Sequence, residues 1–250
     1  MSSPLLQIND LSYSYHSLTG ETYALSHVSF QIQPGEFVAI VGPSGCGKST
    51  LLSLIAGLLT PENGQIVCTS SRIGYMLQRD HLFEWRTIYQ NVCLGLEINH
   101  CATKEYLTYI DMLLKEYDLD AFRDKYPSEL SGGMKQRAAL IRTMALKPDL
   151  LLLDEPFSAL DYQTRLQVSG DICQKIRDAN KTALLITHDL SEAISLADRI
   201  LVLTARPATI LDDIGIQLTT TETGPLAARQ APEYGSYFDK LWKELTHGTT

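Results

Sequence analysis

The chain has 250 residues, of which 44% are hydrophobic and 20% charged, a composition typical of one large globular domain or of one core with an inserted subdomain. The formal net charge of -8 argues against a nucleic-acid-binding surface, which would need a basic stripe. A local loop can nevertheless bind a small phosphate-bearing anion inside an acidic protein.

No apolar run approaches the ~20 residues that a membrane-spanning helix needs, and the N-terminal segment MSSPLLQIND lacks the basic start and the apolar core of a signal peptide. We therefore expect a cytosolic protein unless partners hold it elsewhere. The five cysteines are odd in number and contain no CxxC pair, which argues against a disulfide framework or a zinc site.

The N-terminal part of the chain is predicted to form three strands and a helix. LLQINDLSYSY (5–15) alternates apolar and polar residues, and ALSHVSFQIQPGEFVAIVG (24–42) predicts two more strands joined by a Pro-Gly turn. Within it, FVAIV (37–41) is apolar at every position, which suits a strand covered on both faces. STLLSLIAGLL (49–59) has helical spacing and is expected to end near Gly57.

Between this strand and this helix lies GPSGCGKST (42–50), which fits the phosphate-loop pattern G-x-x-x-x-G-K-[ST]. Glycines let backbone N–H groups point inward around a phosphate, and the helix turns its N-terminus towards the negative charge. We expect Lys48 to reach the terminal phosphates of a nucleotide, Ser49 to bind magnesium and Thr50 to contact the next phosphate. The predicted nucleotide-binding residues of this loop are Gly42, Pro43, Ser44, Gly45, Cys46, Gly47, Lys48, Ser49 and Thr50.

The middle of the chain, residues 79–147, has helical patterns, of which KEYLTYIDMLLKEYDL (104–119) is the clearest, and we expect an inserted α-helical subdomain there. Gln78 precedes it at the end of a strand-like segment, where an amide can bind magnesium and position water. LSGGMKQR (130–137) is glycine-rich but lacks the lysine–hydroxyl end of a phosphate loop. It is either an anion-binding helix N-terminus or a plain glycine-containing helix start.

Two later strands end in polar residues. LLLLDEP places Asp154 and Glu155 at the end of one, and TALLITHD places His188 at the end of the next. Because the carboxyl ends of parallel strands line a ligand crevice, we expect Asp154 to hold magnesium, Glu155 to orient or deprotonate the attacking water, and His188 to contact the γ-phosphate. Alternatively, the Asp-Glu pair caps a helix and the histidine makes a structural hydrogen bond.

The C-terminal segment YGSYFDKLWKELTHG predicts a helix with an apolar stripe formed by Phe238, Leu241, Trp242 and Leu245. This helix could dock a partner, but apolar stripes usually pack on their own domain, and we favour that interpretation. Gly170 interrupts the leucine-rich helix expected after residue 161, at a cost of ~1 kcal/mol relative to alanine, and puts that helix in doubt.

The phosphate loop, Gln78, LSGGMKQR, LLLLDEP, SALD and THD follow one another in the order of an ABC-transporter ATPase subunit, which the chain resembles over residues 5–215. The resemblance implies an α/β P-loop NTPase (RecA-like) core with an N-terminal antiparallel β subdomain and an inserted α-helical subdomain. The expected domains are 1–78 (first part of the core), 79–147 (helical subdomain with the signature motif LSGG), 148–225 (second part of the core) and 226–250 (helical tail).

In this family two subunits pack head to tail, and each ATP lies between the phosphate loop of one and the signature motif of the other. The resemblance therefore assigns four residues to the ATP held by a second copy: Ser131, Gly132, Gly133 and Asp161. It assigns catalysis to Glu155, His188 and Gln78, and magnesium to Ser49, Gln78 and Asp154. Tyr15 lies where the family has an aromatic residue that stacks on adenine, and Tyr13 competes for this role.

Within the family, LFEWRTIYQNVCLGLE (82–97), PFSALDYQTRL (156–166) and TARPATI (204–210) resemble importers of nitrate, sulfonates, taurine and thiamine-precursor-like pyrimidines. This implies an ATPase that uses ATP and Mg2+, works as a homodimer under integral-membrane permease subunits, and depends indirectly on an extracytoplasmic solute-binding protein. It would be a peripheral protein on the cytoplasmic face of the plasma membrane and would not bind nucleic acid.

The segment after Gln78 contains Leu82, Phe83 and Trp85, where the family has the groove that receives the permease's coupling helix. Large apolar side chains in an exposed stretch suit such a pocket, although internal packing of the helical subdomain is the alternative. A non-transport ABC ATPase, such as a cluster-assembly or cell-division regulator, is the alternative function. A DNA-repair ABC ATPase is disfavoured, since the sequence lacks a long coiled coil, a zinc insertion and a basic stripe.

Overall fold

The computed structural model describes residues 3–18, 20–158, 160–220 and 224–247. The strands are β1 (Leu6–Ser17), β2 (Gly20–Ile32), β3 (Phe37–Val41), β4 (Asn63–Cys68), β5 (Ile73–Met76), β6 (Leu150–Asp154), β7 (Thr182–Ile186), β8 (Arg199–Leu203) and β9 (Ile210–Gly215). The helices are α1 (Lys48–Ile55), α2 (Ile88–Val92), α3 (Leu94–Ile98), α4 (Lys104–Glu116), α5 (Gly132–Met144), α6 (Tyr162–Asp178), α7 (Leu190–Leu196), α8 (Pro225–Gln230) and α9 (Tyr234–His247).

Two sheets organise these elements. In the larger sheet the described strands follow the order β5-β6-β7-β3-β8-β9, with parallel pairing from β5 to β8 and antiparallel pairing between β8 and β9. The smaller sheet is antiparallel, in the order β2-β1-β4. A mainly parallel core with an antiparallel N-terminal sheet and helices between β5 and β6 confirms the fold class predicted from the sequence.

Both faces of the larger sheet are covered, which explains why β3, β6 and β7 are buried along their whole length. Because side chains alternate along a strand, Phe37, Ala39 and Val41 enter one hydrophobic cluster, and Val38 and Ile40 enter another. The first cluster includes side chains from α4, α5 and α6, and the second includes side chains from β1, β2 and α1. The helices and the antiparallel sheet are therefore fixed on opposite faces of one sheet.

Polar residues set the ends of several helices. The side chains of Thr87, Thr103 and Ser131 accept backbone N–H bonds at the starts of α2, α4 and α5. Gly57 follows α1 with a φ of 73°, a left-handed conformation that favours glycine and stops the helix where the sequence predicts. The helices α2 to α5 all lie within the segment 79–147.

The doubt that the sequence placed on a helix at Gly170 was wrong, because α6 is continuous through this position. A Cβ atom at Gly170 would lie 2.6 Å from Cδ of Pro225, the first residue of α8. The glycine therefore permits the close approach of α8 to α6, and this packing compensates for its poor helix propensity.

The C-terminal helix α9 packs mainly on its own domain, as favoured from the sequence. Leu241 is completely buried, and Phe238 and Leu245 pack against the first hydrophobic cluster. Trp242 differs from these residues, because it is 57% exposed and stacks on Phe238 with ring centroids 6.3 Å apart. Among the helices in the described ranges, none is both long and apolar enough to traverse a bilayer.

Gly170→Ala should lower the melting temperature, although alanine raises helix propensity by ~1 kcal/mol, because the new methyl group would collide with the rigid ring of Pro225. Gly235→Ala in α9 is the matched control, since nothing lies within 4 Å of a Cβ at that position, and it should raise the melting temperature. Thermal denaturation of the two variants measures both effects. Equal stabilisation by both would show that α8 does not restrict Gly170.

Candidate functional site

Polar side chains from four neighbouring strands meet at one edge of the larger sheet. The phosphate loop follows β3, Gln78 lies two residues after β5, Asp154 and Glu155 lie at the end of β6, and His188 lies two residues after β7. Because these strands are parallel, their carboxyl ends lie side by side. The topology therefore gathers residues that are far apart in the sequence.

The phosphate loop is tightly packed and holds a buried cation. Gly47 has a φ of 128°, and a Cβ atom there would lie 2.9 Å from the carbonyl oxygen of Ala24, so the position requires glycine. Lys48 is only 7% exposed, and its Nζ donates to the carbonyl oxygens of Gly42 at 2.8 Å and Pro43 at 2.9 Å. The ammonium group thus sits inside the loop, with carbonyl partners that phosphate oxygens can replace.

Two of the three predicted magnesium ligands, Ser49 and Asp154, lie next to each other. Ser49 Oγ donates to Asp154 Oδ1 at 3.2 Å, and the hydroxyl of Tyr75 donates to Asp154 Oδ2 at 3.5 Å. Burial raises the pKa of Asp154. Within the described ranges, no group of three or more His, Cys, Asp or Glu side chains is placed to hold a metal ion by itself. A hydroxyl and a single carboxylate fit magnesium that is bound together with nucleotide phosphates.

Glu155 is the point on which three site elements converge. Its Oε2 accepts a hydrogen bond from Gln78 Nε2 at 3.1 Å and lies 3.1 Å from Nδ1 of His188. Glu155 also lines an open cavity of about 210 Å³ together with Lys48 and other residues of the phosphate loop. This geometry brings Glu155, His188 and Gln78 together beside the phosphate loop.

The backbone of Glu155 is strained. Its φ is 44°, a left-handed conformation that a residue with a long side chain rarely adopts. Its N–H donates to the carbonyl oxygen of Ile186 in β7 at 2.9 Å, which holds the residue at the end of β6. Strain of this kind is concentrated at functional sites, where the surrounding structure maintains it.

The two candidate adenine-stacking residues have different environments. Tyr15 is 45% exposed, and its hydroxyl lies 3.1 Å from Thr50 Oγ1 beside the phosphate loop. Tyr13 is half-buried, packs against the second hydrophobic cluster and meets Tyr15 edge-on at 5.1 Å between ring centroids. Tyr15 therefore has the more accessible ring for stacking.

The signature motif adjoins α6 of its own chain. Ser131 caps α5 through its Oγ, and Gly132 is exposed, with a Cβ there lying 3.3 Å from Cδ2 of Leu160. Gly133 is buried, and a Cβ there would lie 3.2 Å from Cγ2 of Thr164. The two positions therefore differ mainly in burial, since Gly133 is packed against α6 whereas Gly132 is exposed at the N-terminus of α5.

Asp161 is exposed and caps α6. Its Oδ1 accepts a hydrogen bond from the backbone N–H of Thr164 at 3.1 Å, and the bonds to Thr164 lower the pKa of its carboxyl group. Its predicted contact with a second copy remains a prediction. Asp161 lies next to Leu160, which neighbours Gly132, so the signature motif and the aspartate loop (Ser158, Leu160, Asp161) form one continuous region.

The segment after Gln78 only partly matches the expectation of three exposed apolar residues. Leu82 is buried in the first hydrophobic cluster, so its placement in an exposed stretch was wrong. Trp85 is 74% exposed and stacks on the half-buried Phe83, with ring centroids 4.8 Å apart. Internal packing therefore explains Leu82, and an accessible aromatic surface remains at Phe83 and Trp85.

Two residues that the sequence did not single out shape this segment. Asn91 is completely buried, and its Nδ2 donates to the carbonyl oxygens of Phe83, Arg86 and Thr87. Arg142 donates to two further carbonyl oxygens, those of Asp80 and His81. Such side chain–backbone bonds depend on tertiary contact and have no local sequence signal.

A polar cluster beneath the histidine loop (Thr187, His188, Asp189) was also not predicted. Arg165 Nη1 lies 3.5 Å from Asp189 Oδ2, and Glu192 is only 8% exposed. Burial raises the pKa of Glu192 to about 7, while hydrogen bonding to Thr187 and the charge of Arg165 act in the opposite direction. The aspartate loop and the histidine loop are therefore linked by charged groups behind the catalytic edge.

Comparison with known proteins agrees with this geometry. The family model described as ABC transporter matches residues 25–158, which is more than half of the chain. The chain belongs to the ABC transporter ATP-binding family. It is therefore an ATP-binding subunit with ATPase activity, as its sequence motifs predict.

Two relatives match almost the whole chain. The uncharacterized ABC transporter ATP-binding protein YtlC of Bacillus subtilis (strain 168) is 43% identical over 247 residues, covering 96% of this chain and 95% of that protein. The nitrate import ATP-binding protein NrtD of Synechocystis sp. is 41% identical over 250 residues, covering 94% of this chain and 93% of that protein. The match with NrtD confirms the resemblance to nitrate-type importers.

A solved structure supports the fold independently. The ATP-binding cassette MJ0796, determined as a dimer in a post-hydrolysis state bound to ADP and Pi, matches with a TM-score of 0.72 and 28% identity. The match covers 85% of this chain and 99% of MJ0796. The α/β fold found here is thus that of an ABC ATPase.

Glu192→Gln should make stability less dependent on pH. The folded-state pKa of Glu192 is about 7, above the ~4.3 of an unfolded glutamate, so between these values the folded protein holds a proton that the unfolded chain has lost. The free energy of unfolding of the wild type therefore falls as pH rises through this window. From about pH 5 to 8, the variant should gain about 2–3 kcal/mol relative to the wild type, as measured by denaturant unfolding.

Glu129→Gln is the matched control for this measurement. A hydrogen bond from the backbone N–H of Tyr126 lowers the pKa of Glu129, so its stabilising contribution is lost as pH falls. The control should show no relative gain on raising the pH. A pH-independent difference for Glu192→Gln would mean that Glu192 is already ionised in the folded protein at pH 5.

Proposed function

We propose that the chain is the ATP-hydrolysing subunit of an ABC importer, in which two copies act head to tail beneath membrane-spanning permease subunits. The convergence of Gln78 and His188 on Glu155, beside the phosphate loop, is the observation that carries the catalytic part of this proposal. The relatives named for nitrate import support the uptake of a small anion or organic solute, such as nitrate, a sulfonate, taurine or a pyrimidine-like compound.

The residues at the sheet edge have separate roles in hydrolysis. Lys48 exchanges its bonds to Gly42 and Pro43 for the terminal phosphates of ATP, and the N-terminus of α1 contributes its dipole. Glu155 orients the attacking water and accepts its proton, and His188 and Gln78 fix the carboxylate in place. Magnesium, when bound, neutralises charge on the phosphate oxygens.

The magnesium-binding residues would be Ser49, Asp154 and Gln78. Ser49 and Asp154 already place their oxygens 3.2 Å apart, and Gln78 uses its amide nitrogen on Glu155, which leaves its amide oxygen as the ligand atom. Burial raises the pKa of Asp154 and so disfavours its charged form. A magnesium ion bound beside Asp154 would favour the charged form.

The surface formed by the signature motif and the aspartate loop supports the second copy as a partner. Ser131, Gly132 and Asp161 are exposed, and the side chain next to Gly132 is that of Leu160, which directly precedes Asp161. A helix N-terminus with an open backbone is suited to a phosphate group, and here that phosphate would belong to ATP on the second chain. Tyr15, beside Thr50, would stack on the adenine of the chain's own ATP.

The exposed Trp85, stacked on the half-buried Phe83, supports docking of a permease segment. The backbone beneath this pair is pinned by the carbonyl bonds of Asn91 and Arg142, so the aromatic surface is presented in one arrangement. Large exposed aromatic side chains are typical of partner contacts. Docking of this kind would place the subunit on the cytoplasmic face of the membrane as a peripheral protein, with the extracytoplasmic solute-binding protein acting only through the permease.

Glu155→Gln should reduce ATP turnover by about 100-fold or more while preserving ATP binding, because glutamine keeps the size and the hydrogen bonds of the side chain but cannot accept the proton. The variant should accumulate as an ATP-bound dimer on a sizing column. Adding Gly132→Asp should abolish the dimer but not ATP binding by the monomer, since the new carboxylate would face the γ-phosphate of the second copy.

The choice of Gly132 for this test follows from its exposure, whereas Gly133 is buried and an aspartate there would have to displace side chains of α6. An aspartate in the first turn of α5 also suits the helix dipole, so the chain should fold normally. Near-normal hydrolysis by Glu155→Gln would contradict the role of this carboxylate. A double variant that still forms the ATP-bound dimer would contradict the role of the signature motif in the second copy's site.

Trp85→Ala should abolish transport without changing ATP hydrolysis by the isolated chain, because the residue is exposed and does not line the cavity at the phosphate loop. Complementation of a deletion strain on nitrate, sulfonates, taurine and pyrimidines first identifies the source that the wild type supports. Trp242→Ala is the matched control, since this tryptophan is also more than half exposed but lies on α9. Wild-type growth with Trp85→Ala would contradict docking at this surface.

A further inference from the structure

One guanidinium group joins the aspartate loop to the histidine loop. Arg165 lies in the first turn of α6, and its side chain is 25% exposed. Its Nη2 donates to the carbonyl oxygen of Leu160 at 2.9 Å, and its Nη1 lies 3.5 Å from Asp189 Oδ2. Leu160 directly precedes Asp161 in the sequence, and Asp189 directly follows His188. The two contacts therefore connect the immediate neighbours of two proposed site residues.

Asp189 is held by its own loop, which makes it a firm attachment point. Its Oδ1 accepts from the backbone N–H groups of Ser191 at 2.9 Å and Glu192 at 3.3 Å and so caps α7. Its own N–H donates to Thr187 Oγ1 at 3.0 Å. Because Oδ1 is committed to the cap, Oδ2 is the atom that faces Arg165, and a displacement of the histidine loop moves that atom.

Leu160 is similarly fixed at the other end of the link. Its side chain is 6% exposed and lies beside Gly132 at the start of α5. Its carbonyl oxygen is the acceptor for Arg165, and the next residue, Asp161, caps α6. A displacement of Leu160 therefore shifts both Asp161 and the region next to the signature motif.

The surroundings of this link are poor in solvent. Nε of Arg165 and Oε1 of Glu192 are both buried without a hydrogen-bond partner, and Glu192 lines the same small cavity as Arg165, Asp189 and His188. Charges in such a site are screened less than surface charges. A guanidinium that lost Asp189 here would keep its bond to Leu160 but would leave a partly buried charge without its carboxylate, so the two loops are energetically coupled through it.

We propose that Arg165 is a positioning residue that holds the aspartate loop and the histidine loop in one relative arrangement, so that occupancy of one composite ATP site sets the geometry of the other. The inference rests on the proposed function, in which His188 holds Glu155 beside the ATP of its own chain and Asp161 lies beside the ATP of the second copy. Arginine suits this role because its planar fork reaches two acceptors at once, which a lysine ammonium cannot do from one position.

Arg165→Met tests the link, because methionine keeps an apolar side chain of similar length but makes neither bond. We expect kcat for ATP to fall at least about tenfold and the Hill coefficient to fall towards one. ATP affinity of the monomer should stay within about twofold of the wild type, since Arg165 does not line the phosphate cavity. A purely structural residue would change stability without this split between turnover and binding.

Arg177→Met is the matched control on the same helix. Arg177 also pairs with one aspartate, Asp198 at 2.8 Å, and also donates to one carbonyl oxygen, that of Leu196 at 2.7 Å. Asp198 accepts from the N–H of Phe37 at the start of β3, so this pair lies at the edge of the sheet opposite to the phosphate loop. The control should lower the melting temperature but leave kcat and the Hill coefficient unchanged.

Two further variants test whether the effect of Arg165→Met comes from the loss of its two contacts or only from the loss of a positive charge. Arg165→Lys should recover most of the stability lost in Arg165→Met but not the Hill coefficient, because one ammonium cannot span both loops. Asp189→Asn keeps the helix cap and weakens the ion pair, so it should reduce cooperativity in the same direction. The double variant Arg165→Met/Asp189→Asn should be no worse than Arg165→Met alone if both changes break one link.

The proposal is overturned if Arg165→Met retains the kcat and Hill coefficient of the wild type, if the double variant shows additive losses, or if the wild type itself has a Hill coefficient of one. Failure of the proposed function gives a different result, because Glu155→Gln would then continue to hydrolyse ATP or would not form a dimer. Measuring Glu155→Gln in the same preparation therefore distinguishes the two failures.

Discussion

Parallel pairing of β5, β6, β7 and β3 is the constraint on which the site depends. Because β3, β6 and β7 are buried on both faces, polar side chains are disfavoured along their length. The polar residues of the site lie where these strands end, at the carboxyl edge of the sheet. The edge then supplies a cation, a hydroxyl, two carboxylates, an amide and an imidazole within a few ångströms. The helical insertion and the antiparallel sheet are packed against opposite faces of this sheet.

Much of this arrangement could be predicted because the relevant signals are local. The run FVAIV followed by glycines and a helical pattern specifies strand, loop and helix in consecutive residues, and the structure has them as β3, the phosphate loop and α1. LLLLD and TALLI are unambiguous as buried strands for the same reason. Because β6 and β7 are parallel neighbours, the residues that follow them, Glu155 and His188, lie close together although they are distant in the sequence.

The features that could not be predicted depend on contacts between distant segments. Nothing local distinguishes Leu82, which is buried, from Trp85, which is exposed, because the difference arises where α5 and Asn91 meet the loop. Gly170 looks unfavourable until α8 is seen to approach it within contact distance. Arg165 is one of many arginines in the sequence, and only the packing of α6 against the histidine loop gives it two partners.

The left-handed backbone of Glu155 has a consequence for how this position can change. A φ of 44° lies in the left-handed region, which glycine adopts without steric cost and asparagine tolerates better than glutamate, so either residue would relieve strain that glutamate maintains. Selection for heat resistance alone would then favour replacing the proposed catalytic base, whereas selection for turnover would keep it. At residue 155, selection for stability and selection for ATPase activity therefore favour different residues.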